Sequence, residues 1–323
     1  MIPEWVVGVL SCTCGARLAR TEGNLVCDSC GETMKVNDDG IIWGEVVSDA
    51  GTDFHAKMER GTTLRELQHQ EYHLANWETP YYKQAIWEFS DDVDLSSATA
   101  LDVGCGDGRF TEYLIEQGAE RVVAADANIH SLRSLAEHAE QEGYRENVVI
   151  VHADASLVPV LDETIDLVLS MGVLYYMNDR FEDGLSALVS KLRPGGQLIA
   201  SEPDIEGVSL KALVFEGIED FVEVFTDRRF VETHDSEPSK FRAFAKSEIR
   251  SLYEDAGLEV TGHQGLSLFP LLLAVRQARG EISDDEIAAT DTELRQAFDT
   301  LNESGGVHKH VIWNCRKVAE TDA

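Results

Sequence analysis

The sequence predicts an α/β protein: a doubly wound, mostly parallel sheet, with a small cysteine-rich module in front and a helical insertion acting as a lid. Three observations predict it. From residue 98 onward, short apolar runs alternate with amphipathic segments of helical period, the pattern of a parallel sheet wrapped by helices. The first of these strands turns into its helix through three glycines in "LDVGCGDGRF". Four of the six cysteines fall in two pairs within residues 12–30.

Residues 1–48 hold those pairs, Cys12-Thr-Cys14-Gly15 and Cys27-Asp-Ser-Cys30-Gly31, with twelve residues between them. Each knuckle of a zinc ribbon is a tight turn that aims two thiolates at one tetrahedral ion. The second pair has that spacing. The first is one residue short and chelates with more strain. Cys12, Cys14, Cys27 and Cys30 are therefore the expected ligands of a structural zinc ion, the bland alternative being a set of reduced thiols. Cys105 and Cys315 have no partner by spacing and read as small buried hydrophobes.

Residues 49–95 read as a helical cap or linker, rich in aromatics such as Tyr72, Trp77, Tyr81 and Tyr82, with Pro80 breaking it into two helices. Residues 96–323 form the main domain. "ATALDVGC" is a buried strand, and "GRFTEYLIEQG" a helix with Phe110, Tyr113 and Leu114 on one face and Gly118 as its stop. After the strand "RVVAAD", the helix "HSLRSLAEHAEQEG" places Leu132, Leu135, Ala136 and Ala139 on one face. "NVVIVHAD" and "IDLVLSMGVL" are strands, "RFEDGLSALVSKLRPGG" a helix and "QLIASEPD" a strand. Residues 203–246 do not fit the alternation and read as the lid, helical and then loop-like. "KSEIRSLYEDAGLEV" is a helix opening at Ser247 and closing at Gly257. An acidic helix over residues 283–302 and a strand "HKHVIWNCRKV" complete the series.

The glycine loop carries the chemistry. Gly104, Gly106 and Gly108 let the backbone turn tightly and approach a ligand with no Cβ in the way. The spacing is G-x-G-x-G, and the last glycine of a dinucleotide fingerprint would fall on Arg109. Eighteen residues beyond Gly108, Asp126 ends the second strand, where a carboxylate accepts both hydroxyls of a ribose.

With "LDVGCGDGRF", Asp126, "HADAS", "IDLVLSMGVLYYM" and "LRPGGQLIASEPD" in register, residues 70–265 resemble the class I S-adenosylmethionine-dependent methyltransferases, in the broad group that includes the quinone-biosynthesis enzymes. The resemblance implies a Rossmann-like sheet and S-adenosylmethionine as cofactor. It implies cofactor-binding roles for Asp102, Gly104, Cys105, Gly106 and Gly108 in the loop, with the Gly106 region facing the methionine moiety. It gives Asp126 and Ala127 to the ribose, Asp154 and Ala155 to the adenine, and Ser170 and Gly172 to the cofactor's flank.

Methyl transfer from a sulfonium is an in-line displacement that asks mainly for alignment and a dry site. A base is needed only when the acceptor must lose a proton. Tyr175 and Tyr176, after the fourth strand, are candidates to orient or cap an acceptor, and Glu202, after the fifth, to act as base or anchor. The mundane alternative has the tyrosines packing under the lid and Glu202 capping a turn. "SMGV" stands where enzymes of exocyclic base amines carry Asn/Asp-Pro-Pro-aromatic, which argues against that chemistry.

The run "CDSCGETMKVNDDGI" resembles the ribbon at the front of large-subunit rRNA guanine methyltransferases and the small zinc-ribbon activator subunit of several methyltransferases. This makes RNA the alternative acceptor to a small-molecule metabolite. Charge argues against RNA, since residues 1–48 hold three basic and seven acidic side chains and no basic stripe for phosphates. A non-catalytic protein that keeps the cofactor fold is the third reading. The whole chain carries 59 acidic and 27 basic residues, net −32, a balance that repels polyanions and suits a high-salt, halophilic cytoplasm where screening is nearly complete. No run of ~18 apolar residues predicts a membrane span, and the opening "MIPEWVVGVL" lacks the basic start and cleavage site of a signal peptide. The expected compartment is the cytoplasm. Oligomeric state is left open.

Overall fold

The computed structural model describes residues 2–21, 24–46, 78–234, 237–303 and 306–319. Most of the expected cap at 49–95 lies outside the described residues. Its described part is α1 (Thr79–Phe89), with Pro80 in its first turn, as the absence of an N–H there allows; the helix expected before Pro80 lies outside the described residues.

In the cysteine module, β1 (Leu18–Thr21) and β2 (Asn24–Cys27) form an antiparallel hairpin, and β3 (Ile42–Trp43) follows. The main domain then runs β4 (Thr99–Val103), α2 (Arg109–Glu116), β5 (Arg121–Asp126), α3 (Ile129–Gln141), β6 (Val148–His152), β7 (Ile165–Met171), α4 (Phe181–Lys191) and β8 (Leu192–Pro203). The strand–helix alternation expected from the apolar runs is present. All five residues of β4 and of β6 are buried, because a parallel strand covered on both faces has no solvent side.

The insertion holds α5 (Ile205–Phe215) and α6 (Ile218–Asp227), then β9 (Arg229–His234) and β10 (Glu237–Arg242), which pair antiparallel. The part expected to be loop-like is thus a β-hairpin. Next come α7 (Lys246–Asp255), β11 (Leu258–Ser267), α8 (Phe269–Ala278), α9 (Asp284–Ala289), α10 (Asp291–Glu303) and β12 (His308–Lys317). The single acidic helix expected over 283–302 is two helices. The first carries a Ser283–Glu286 capping box and ends at Thr290.

The main sheet has eight strands in the order β11-β12-β8-β7-β4-β5-β6-β3. The six from β3 to β8 pair in parallel; β12 and β11 add antiparallel at one edge. At the opposite edge Ile42 and Trp43 pair with Val151 and His152. One face of the sheet packs against α1, α2 and α3. The other packs against α4, α7 and the cysteine module, whose Val6, Leu10, Leu18 and Leu25 join one apolar cluster with Val151, Val158 and Val160. A module this small cannot bury a core alone, and this one shares the core of the sheet.

Candidate cofactor site and cysteine cluster

The glycine loop leaves the carboxyl end of β4 at the centre of the sheet, where open parallel sheets bind ligands. Gly104 has φ +65° and a Cβ there would lie 2.3 Å from Val173 Cγ2; at Gly108, φ +94°, it would lie 2.4 Å from Leu135 Cδ1. Neither position tolerates a side chain. The loop is pinned by N–H groups of Gly104 and Cys105 to the Ala125 carbonyl at 2.7 and 3.1 Å.

Asp126 ties the loop to the next turn. Its Oδ2 accepts from Gly106 N at 2.8 Å and its Oδ1 from Asn128 N at 2.7 Å. Asn128 in turn caps α3, accepting from His130 N and Ser131 N. The neighbouring Ala127 carbonyl accepts from His152 Nε2 at 2.9 Å. Asp154, 3% exposed, caps the 3₁₀ turn that begins at Ala155, accepting from Ser156 N at 2.9 Å and Ser156 Oγ at 2.7 Å. Arg180 closes on the same carboxylate at 3.3 Å. No sequence signal pointed to that Arg180 contact, which comes from the turn after β7.

Asp102 is buried beneath the loop and accepts from Thr111 Oγ1 at 2.7 Å, joining β4 to α2. Burial pushes its carboxyl up to about 7 from the ordinary 3.8; Thr111 opposes this and the Asp126 charge adds to it. A carboxyl raised on folding binds more protons in the native state than in the unfolded one. Its stabilising contribution is complete below about pH 4 and is lost as pH rises through about 7. Asp102→Asn, which keeps an acceptor for Thr111, is therefore expected to gain thermal stability over the parent as pH rises from 4.5 to 8. Melting curves across that range check it, and a difference that does not vary with pH would refute it.

At the carboxyl end of β7, Ser170 is fully buried and Gly172 takes φ +75° as the chain leaves the strand. Tyr175 and Tyr176 follow, ring centroids 4.3 Å apart, beneath the β9–β10 hairpin. Phe241 packs edge-on against both, at 5.9 and 4.6 Å, and Phe230 lies 6.0 Å from Tyr175. Glu202 is 1% exposed, and its Oε1 accepts from Tyr253 Oη at 3.4 Å. Burial holds its carboxyl well above the ordinary 4.5, against hydrogen bonds from Tyr253 and the Tyr175 backbone. It lies buried under the tyrosine loop. His310, 5.7 Å from the Tyr175 ring, escaped the sequence reading. So did Arg109, which donates to Thr79 Oγ1 and stacks on Phe110 at 4.3 Å. His310 comes from an antiparallel strand far from every motif, and Arg109 was read only as a missing glycine.

The cysteine thiols converge. Cys12 Sγ lies 3.6 Å from Cys30 Sγ and Cys14 Sγ 3.5 Å from Cys27 Sγ, and all four lie within 4.8 Å of one another. A tetrahedral zinc ion with bonds of ~2.3 Å separates its sulfurs by ~3.8 Å, so the cage fits that ion. The short knuckle still turns because Gly15 takes φ +79°, matching Gly31 at +75°. Backbone N–H groups of Cys30 and Ser29 point at Cys27 Sγ, both at 3.4 Å, and pull that thiol down to about 6 against the effect of burial.

A parallel doubly wound sheet with a glycine loop, a ribose-height acid on the next strand and no dinucleotide spacing defines the class I S-adenosylmethionine-dependent methyltransferase fold. The chain belongs to the S-adenosylmethionine-dependent methyltransferases: the Methyltransferase domain family matches residues 100–196. A ubiquinone biosynthesis O-methyltransferase of Ruegeria sp. (strain TM1040) is 30% identical over 185 residues, 57% of this chain and 70% of that protein. A tRNA U34 carboxymethyltransferase of Pseudoalteromonas translucida (strain TAC 125) is 35% identical over 134 residues, 42% of this chain and 38% of that one. The chain thus spans about two-fifths of the length of the tRNA U34 carboxymethyltransferases it matches. Among solved structures, a Burkholderia thailandensis 1,6-didemethyltoxoflavin-N1-methyltransferase with bound S-adenosylhomocysteine shares the fold at TM-score 0.51 and 18% identity, over 82% of this chain and 86% of that one. A chain from a complex of the Haloferax volcanii Trm112 methyltransferase activator with a methyltransferase shares it at TM-score 0.52 and 16% identity, over 86% and 99%. Among the described residues no helix is long and apolar enough to cross a membrane.

Proposed function

We propose that the protein transfers a methyl group from S-adenosylmethionine to a small-molecule metabolite. The observation that carries this reading is the aromatic cluster beyond the carboxyl end of β7: Phe241 and Phe230, 1% and 4% exposed, pack on Tyr175, itself 3% exposed. An apolar aromatic wall of this kind suits a compact acceptor better than a polynucleotide. The cofactor, when bound, supplies an already activated methyl group. Gly104, Cys105, Gly106 and Gly108 with Asp102 behind them shape its cradle, Asp126 and Ala127 hold the ribose, Asp154 and Ala155 border the adenine, and Ser170 and Gly172 flank the methyl-bearing end. Asp154 borders the adenine as a neighbour already bonded to Arg180 and Ser156. Tyr175 and Tyr176 orient the acceptor. Glu202, buried beneath them and bonded to the Tyr175 backbone, serves as base or anchor. Cys12, Cys14, Cys27 and Cys30 hold a structural zinc ion.

The second reading, an RNA acceptor, draws support from the tRNA-modifying relatives and from the ribbon's resemblance to rRNA enzymes. The acidity of residues 1–48 and of the whole chain weighs against it. Incubation with radiolabelled S-adenosylmethionine, a protein-free metabolite extract and bulk tRNA separates the readings. Label is expected in species below ~1 kDa, the size range of an enclosed ligand pocket. Label in tRNA alone would overturn the metabolite reading, and label in neither would favour a non-catalytic protein.

A further inference from the structure

The cysteine module has a second place in the molecule besides any role of its own: it is the edge of the catalytic sheet. Trp43 N donates within the module to the Lys35 carbonyl at 2.9 Å, while Gly44 N donates across to the His152 carbonyl at 2.9 Å. One residue further, the Glu45 carbonyl accepts from Asp154 N at 2.9 Å. The Trp43 ring meets the His152 ring edge-on at 4.6 Å, and that histidine is the one whose Nε2 holds the Ala127 carbonyl. Two backbone segments are thereby set from outside the nucleotide-binding fold: the turn after Asp126 and the turn through Asp154.

We propose that β3 and its flanking residues position the adenosine end of the cofactor site. Trp43 acts through His152 on Ala127, and Glu45 acts on Asp154. The ribbon, held by its metal, is the rigid body that fixes β3. Trp43 and Gly44 are positioning residues and touch no cofactor. Close fit supports this, because a Cβ on Gly44 would lie 3.0 Å from Ala153 Cβ and 3.2 Å from the His152 carbonyl, so the strand sits directly against β6. The module is also tied at its far side, where Arg145 donates to the Val148 carbonyl at 2.7 Å and to the Gly40 carbonyl at 3.0 Å. The proposal rests on the cofactor reading given above.

The test is calorimetric titration of S-adenosylhomocysteine into the full chain and its variants. Trp43→Ala is expected to bind about three- to tenfold more weakly, the range an edge-on aromatic pair supports. Gly44→Val, which pushes β3 from β6 without touching the thiols, should lose a similar factor. Trp43→Phe keeps the ring contact and should stay within twofold of the parent. Stripping zinc from the parent should weaken binding by a comparable factor and add little to Trp43→Ala, since effects through one path do not sum. If the parent binds and both Trp43→Ala and Gly44→Val bind within twofold of it, the proposal fails. If the parent itself does not bind, the cofactor reading fails first.

Discussion

Replacing Asp126 with alanine is expected to weaken S-adenosylhomocysteine binding at least tenfold, and up to about a hundredfold. On the proposed reading this carboxylate accepts from the ribose hydroxyls, and losing one charged hydrogen bond costs ~1.5–3 kcal/mol. The same oxygens already hold Gly106 N and Asn128 N at 2.8 and 2.7 Å. Removing them frees the glycine loop and the cap of α3 together. Asp126→Asn serves as a comparison: it keeps one acceptor but turns an amide towards a backbone N–H, so it should also bind weakly. Calorimetry on the three proteins measures this, with melting curves to confirm that each is folded. An affinity for the alanine variant within threefold of the parent would remove Asp126 from the ribose site.

Substituting Cys27 with serine is expected to abolish zinc retention and to lower the melting temperature by roughly 4–5 °C, the shift that a loss of about 3 kcal/mol gives in a protein of this size. Structural zinc stabilises isolated finger peptides by ~10–16 kcal/mol. The smaller figure applies here because Val6, Leu10, Leu18 and Leu25 keep part of their burial against Val151 and Val158 of the sheet and its following loop. Elemental analysis should give one zinc per parent chain and almost none in the variant. A parent chain purified under metal-sparing conditions with no zinc would end the metal assignment.

The centre of the molecule was legible because its signals are local. The glycine run and the apolar strands from Thr99 to Met171 lie within a short stretch, and each strand is buried on both faces. What escaped depends on distant pairing. Ile42 and Trp43 form a strand of two residues, too short for any period to announce it. β11 alternates weakly and carries two glycines, because as an antiparallel edge strand it is only half buried. The β9–β10 hairpin lies in polar sequence whose pairing is fixed by Phe230 and Phe241 docking on the tyrosines. At the site, residue types drew attention to Asp126, whereas the Arg180 bond to Asp154 and the burial of Glu202 follow from packing that no spacing encodes.

The pairing of Ile42 with Val151 spans more than a hundred residues, which has a consequence for biogenesis. On the ribosome the cysteine module is made before β6, so its β3 strand has no sheet edge to join until β6 has been made. Contacts of such long separation form late, since the loop between them must be closed first. Until then the bare flank of β6, a run of buried valines and isoleucine, is an unpaired edge of the kind that sticks to other chains. The module, made before β6, is what covers that edge once the sheet has formed.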